Sequence, residues 1–189
     1  EIAPTQFVGY ESLTSPAKIV AIVRGTQRLR EVAQGDEVEI ILDRTPAYAG
    51  SGGQIGDTGS VVGREGWGGI VDTYYRGPKL IVHRVKVAAG GLHENEDVAV
   101  TIESPRRQGL RQHHTGTHLL HAALRKVLGT HVAQAGSLVA PDRLRFDFSH
   151  GGAIKDREVE QIESLVNEQV QANTEVTHRE MNIKEALAS

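Results

Sequence analysis

Runs of β-branched residues recur along the first hundred positions, broken by Gly, Pro and Asp. They cover residues 17–23, 37–42, 59–62, 69–75, 80–87 and 97–102, a spacing that predicts the short strands of a small barrel or sandwich. Residues 47–59 interrupt the series with five glycines in thirteen positions, a loop that needs unusual dihedrals or close approach by another group. The period then changes. Ser104-Pro105 reads as an N-cap with proline at the first helical position. Leu110, Thr117, Leu120, Leu124, Val127 and Leu128 carry a helical apolar pattern to a stop at Gly129. Two β-like runs follow, 131–139 and 144–148, with Pro141-Asp142 in the link predicting a hairpin. A second amphipathic helix is expected over about 155–172, with Val159, Ile162, Val166 and Val170 on its apolar stripe. Residues 174–180 read as a further strand. Residues 184–189 read as a helix just begun, so the domain is expected to continue past Ser189.

Composition narrows the class. At 39% apolar and 24% charged residues, the chain resembles ordinary globular proteins. No apolar run is long enough to span a bilayer and no signal-peptide pattern opens the chain, so no membrane association is expected. The absence of cysteine removes disulfides and fits a reducing compartment; the expected location is cytoplasmic. The net charge of −3 argues against a generally basic nucleic-acid binder, but the charge is uneven. Residues 101–150 carry seven Lys/Arg against three Asp/Glu, whereas 1–100 carry 10 against 13 and 151–189 carry four against eight. A cationic middle suits an anionic ligand, and a solvated helix face accounts for it equally well.

That cationic middle holds the most telling motif, His114-Thr115-Gly116-Thr117-His118. Four residues apart on a helix, His114 and His118 stand one turn above each other and can aim two imidazoles at one metal ion. They are either such ligands or two polar residues of a helix, one in solvent and one satisfied in the core. Zinc takes four ligands, or three and an open position, and the chain offers an obvious pair and no thiolate. By itself it is therefore expected to hold zinc weakly; were it to hold zinc tightly, His150 or His178 would be the first candidates to complete the site. The zinc-protease pattern needs Glu where Thr115 stands, so no protease is indicated. His113 and His121 lie nearby, and His121 has the helical phase to sit near Thr117. Gly116 leaves space for a backbone or ligand between the histidines. Ser137 lacks the glycine elbow of a serine hydrolase, and the glycine loop lacks the Lys-Ser/Thr ending of a phosphate loop. Arg106, Arg107 and Arg111 oppose the helix dipole, as phosphate ligands or as exposed surface residues.

The run 114–124, with Gly129-Thr130-His131-Val132, Gly136-Ser137-Leu138-Val139 and residues 144–150, resembles the editing domain of the alanyl-tRNA synthetase family. Upstream, residues 45–59 resemble that family's signature in the preceding β-barrel, and Phe7-Val8-Gly9-Tyr10 fits as well. The resemblance runs in order through essentially the whole chain. It implies an α+β fold: a small N-terminal β-barrel over residues 1–103, then a truncated α/β editing core over 104–189 (helix, β-hairpin, helix, strand). It implies hydrolysis of Ser-tRNA(Ala) and Gly-tRNA(Ala), with tRNA(Ala) as partner and no protein partner evident. His114 and His118 would be zinc ligands, with a Cys-Xaa-Xaa-Xaa-His motif further on supplying the rest. Thr117, Gln134 and Ser137 would line the catalytic pocket and sense serine's hydroxyl. ATP and magnesium would belong only to an aminoacylation module absent from this chain.

The sequence departs from that pattern at Gly50, where the family usually has Glu, at Ala47, where it has a bulky aromatic, and in lacking the Cys-Xaa-Xaa-Xaa-His half. The rival readings are a free-standing alanyl-tRNA editing hydrolase and a metal-free RNA-binding or structural module. The glycine loop is expected to belong to the barrel and to lie against the His114–His118 helix.

Overall fold

The computed structural model describes residues 2–77, 79–175 and 181–188, side chains excepted for 186–188. In chain order the first hundred residues form β1 (Gln6–Phe7), β2 (Thr14–Arg24), β3 (Gln27–Leu29), β4 (Glu31–Ala33), β5 (Glu37–Leu42), β6 (Arg44–Thr45), β7 (Gly59–Val62), β8 (Trp67–Tyr75), β9 (Ile81–Ala89), β10 (Gly91–His93) and β11 (Asp97–Ile102). The main sheet runs β11-β7-β8-β9-β5-β2-β3, and β11 pairs back onto β2, closing six strands into an antiparallel barrel. Closure leaves those strands no free edge, which is how a sheet this short of aromatics stays self-contained. All six sequence-predicted strands are present. The small pairs β1–β6 and β4–β10 were not legible, being two or three residues long.

Alternation sends one face of each strand inward, where Ile19, Ile22, Ile40, Leu42, Val61, Val85, Val100 and Ile102 fill the barrel. Ile19 and Ile22 are an odd number of residues apart, yet both enter the core. A register shift against β5 between Ile19 and Ala21 inserts one residue and flips the phase, and Ala21 joins Ile41 and Val82 in a second cluster outside the main core.

The remainder comprises α1 (Ser104–Leu128), β12 (Gln134–Val139), β13 (Leu144–Phe148), α2 (Asp156–Ala172) and the short α3 (Ile183–Ala188). This is the expected α+β arrangement, with four corrections to its details. The N-cap of α1 is Glu103, not Ser104, because Glu103 N–H still donates to Thr58 O at the barrel's end (3.0 Å) and the helix starts once that bond releases the chain. The strand expected from residue 131 begins at Gln134. On α2, Val159 and Val170 are exposed, at 40% and 60%, and the buried edge is Ile162 with Leu165 and Val166. Periodicity identifies a face; the neighbour decides which part of it is covered, and here the middle of α2 packs on α1 and the hairpin around Ala123, Leu124, Val132 and Phe146. Thr174 and Glu175 are not in a strand, and the rest of the expected strand, 176–180, lies outside the described residues.

Two contacts set α1 against its surroundings. Gly109 lies so close to the Pro141 carbonyl that any side chain would collide with it, which explains a glycine inside a helix where it costs about 1 kcal/mol relative to Ala. Gly116 faces the Leu144 side chain, with a Cβ built there 3.3 Å from Cδ2, so a side chain from the hairpin fills the space expected to admit a backbone or ligand.

Candidate functional site

The first turn of α1 is locked to the barrel by Arg107. It is buried, its Nε donates to Asp57 Oδ2 (3.0 Å) and its Nη2 to the same carboxylate, which is fully buried. Its other donors reach Gly9 O (2.8 Å) and Pro46 O (2.7 Å), and Asp57 also accepts from Tyr48 N–H (2.7 Å). One guanidinium thus joins the N-terminal segment, the start of the glycine loop and the helix. Arg107 therefore belongs neither to a phosphate site nor to the surface. Arg106 donates to Gly56 O (3.1 Å), and Arg111 alone of the three is exposed. The hairpin's Arg143 and Arg145 pair at the surface with their neighbours Asp142 and Asp147, so of the region's basic excess it is Arg107 that is spent inside the fold.

A second lock holds the loop's entrance. Fully buried His83 donates from Nδ1 to Ile40 O (3.1 Å), and its Nε2 meets Thr45 Oγ1 (2.8 Å), which in turn accepts from Ala47 N–H (3.1 Å). Burial pushes this imidazole down to about 4, so it is neutral.

From there the glycine loop crosses to α1 and the hairpin. Ser51 and Gln54 exchange both backbone hydrogen bonds (3.0 Å each), with Gly52 at φ +60° and Gly53 at φ +86°, the two positive φ values of a type I′ turn. Val139 N–H donates to Gly53 O (2.8 Å) and Ile55 N–H to Val139 O (3.1 Å), so the loop runs along β12. A Cβ on Gly53 would stand 2.5 Å from both Ser137 O and Ser137 Oγ, closer than side-chain carbons ever come. The loop belongs to the barrel and lies against the histidine helix, as its polar glycine character suggested.

The five residues singled out from the sequence, His114, Thr117, His118, Gln134 and Ser137, line one cavity of about 50 Å³. Gly52, His121, Val139 and Phe146 complete its wall. Gln134 and Ser137 are three residues apart on one strand, and regular alternation would send them to opposite faces. An irregularity in β12 between Gln134 and Gly136 inserts an extra residue, and both reach the cavity. Thr117 is buried, and its hydroxyl donates to His113 O (2.8 Å), so its oxygen offers lone pairs to the cavity.

The histidine rings stack at 5.2 Å between centroids and 16° between planes. His114 Nδ1–H donates to Gln54 Oε1 (2.7 Å), which fixes the tautomer and leaves Nε2 with its lone pair. Burial, and after it the neighbouring His118, holds His114 below the ordinary imidazole range, keeping it neutral. Two imidazoles, one of them oriented by an amide, are the donor chemistry zinc accepts. Among the described residues, no group of three or more His, Cys, Asp or Glu is placed to hold a metal. His150, a suspect for completing the site, instead meets His131, its Nδ1 lying 3.0 Å from His131 Nε2; His178 lies outside the described residues. His113 ties to Ala140 O (2.8 Å).

Sequence reasoning did not assign Gln54 its histidine partner or His121 its wall position. The second had a signal: His121 stands four residues after Thr117 and seven after His114, on the same helix face.

The class of the chain, a closed barrel joined by its glycine loop to a helix and hairpin, comes from comparison with known proteins. Residues 2–106 match the tRNA synthetases class II (A), and the chain belongs to that family. Within it, the alanine–tRNA ligase of Thermotoga maritima is 44% identical over 185 residues, covering 98% of this chain and 21% of the relative. That of Thermus thermophilus is 46% identical over 186 residues, with 98% and 21% covered, and that of Desulforudis audaxviator 46% over 176, with 93% and 20% covered. The chain thus spans about a fifth of the length of these relatives. Among the described residues, no helix is long and apolar enough to cross a membrane.

Proposed function

We propose that the cavity between α1 and the β12–β13 hairpin is the editing site of an alanyl-tRNA synthetase, where the ester of Ser-tRNA(Ala) or Gly-tRNA(Ala) is hydrolysed. The observation that carries this reading is the convergence of Thr117, Gln134 and Ser137 with two stacked histidines on one small cavity. It occurs in a chain 44–46% identical to alanine–tRNA ligases over nearly its whole length. An alanine-sized synthetic site excludes serine by only a few kcal/mol, so a second site that reads the hydroxyl is the physical remedy. Such a site gains its selectivity by leaving polar groups unpaired when the hydroxyl is missing.

The chain's residues divide the work. Thr117 Oγ1 accepts from the substrate hydroxyl, its own proton being committed to His113 O. Gln134 and Ser137 hold the aminoacyl group from the strand side. Gln54 orients His114, and His114 with His118 would hold zinc, whose chemistry when bound is to polarise an oxygen and lower a water's pKa. The wider protein would carry alanine ligation to tRNA(Ala), with ATP and magnesium used in that reaction.

The test is deacylation of Ser-tRNA(Ala) and Ala-tRNA(Ala) side by side, in a ligase of full family length carrying this segment. Thr117→Leu fills the cavity and should abolish Ser-tRNA hydrolysis while alanylation continues. Replacing Gln134 or Ser137 by Ala should weaken selectivity by ~1–3 kcal/mol for each hydrogen-bonding group lost. Unchanged rates in all three variants would place the reaction elsewhere.

A further inference from the structure

Among the described residues, three buried side-chain polar atoms have no hydrogen-bond partner, and only one of them belongs to a residue that lines the cavity: His121 Nε2. The ring packs on Phe146 at 5.1 Å between centroids, tilted 41°. A polar atom left bare in this way costs free energy unless a ligand or an ordered water pairs it. A cavity of about 50 Å³ admits one or two waters or one small side chain.

We infer that His121 is a specificity residue whose Nε2 pairs with whatever small polar group occupies the cavity, a serine hydroxyl or, for glycine, a water. This rests on the editing reading and adds the reason alanine escapes. A hydroxyl can accept from Nε2–H while keeping its own proton to give. Its proton can in turn go to Thr117 Oγ1, which has lone pairs to offer and no free proton. With a glycyl group there is no side chain, and a water keeps the same place and the same bonds. Alanine's methyl evicts the water and pairs with nothing, leaving Nε2 desolvated and bare. The substrates accepted, one larger and one smaller than alanine, are those a size filter could not select together. A single unpaired buried nitrogen separates them from alanine by roughly 5- to 150-fold.

The test uses the chain as it stands, with non-hydrolysable seryl, glycyl and alanyl amides of 3′-amino-3′-deoxyadenosine. Affinities come from calorimetry, and the ¹⁵N resonance of His121 Nε2 reports the contact itself. The expected result is tighter binding of the seryl and glycyl conjugates than of the alanyl one, with the Nε2 resonance moved least by the glycyl conjugate and most by the alanyl one, which strips its hydrogen bond. His121→Phe should shrink the seryl-to-alanyl ratio at least about fivefold, and His121→Gln, which keeps a polar head, should restore part of it. An unchanged ratio in His121→Phe, or an alanyl conjugate that moves the Nε2 resonance no more than the glycyl one, overturns the role of His121 and leaves the editing reading standing. Failure of the wild-type chain to bind any conjugate withdraws the site itself and this inference with it.

Discussion

Acidification should destabilise this fold through one residue, His83. The buried imidazole titrates at about 4 against an ordinary value of 6.5. The unfolded chain therefore takes up a proton that the native state refuses over that interval, and stability falls as pH drops from 6.5 towards 4. At 1.36 kcal/mol per unit, the full effect is about 3 kcal/mol, with about 2 kcal/mol already lost near pH 5. The geometry supplies the cause. Nδ1–H is given to Ile40 O and Nε2 accepts the Thr45 hydroxyl, so an added proton on Nε2 would confront another donor at a fully buried position. Denaturant unfolding of the wild type and of His83→Leu, repeated between about pH 7.5 and pH 5, isolates the term from the exposed histidines, which both proteins share. The variant should be less stable near neutrality, having left Thr45 and Ile40 unpaired, by about 1–3 kcal/mol. The wild type's advantage should then shrink by about 2 kcal/mol towards the acid end. Parallel stability curves for the two proteins would refute the assignment.

Three further outcomes follow from the same contacts. Arg107→Met leaves the Asp57 carboxylate buried without its partner and should cost about 3–5 kcal/mol, read as a large drop in melting temperature. Gln54→Leu removes the amide that orients His114 and should weaken zinc binding by about 10- to 100-fold in a chelator competition, with the melting temperature of the metal-free chain nearly unchanged. Gly53→Ala puts a methyl against Ser137 at a residue with positive φ; it should cost about 1–3 kcal/mol and displace Ser137, seen as lost Ser-tRNA hydrolysis.

The chain's local patterns determined the elements. Period-two runs became the six barrel strands, and the apolar spacing from Leu110 to Leu128 became α1, because alternation and helical phase are properties of neighbouring residues. The same phase determined that His114, Thr117, His118 and His121 share a helix face. Everything that depends on a partner distant in the chain was decided by the tertiary structure. Arg107 looked like a surface or phosphate-binding cation until Asp57, Gly9 and Pro46 closed around it. Gln134 and Ser137 had the wrong spacing to meet until the irregular residue of β12 restored their common face. Gln54 was one polar residue in a glycine loop until the fold brought it 2.7 Å from His114, sixty positions away. The loop, the helix and the hairpin reach the cavity from separate parts of the chain, and desolvation acts only once they close over an atom. Periodicity along a sequence therefore records which way a side chain faces, while its burial, and with it the unpaired Nε2 of His121, belongs to the assembled fold.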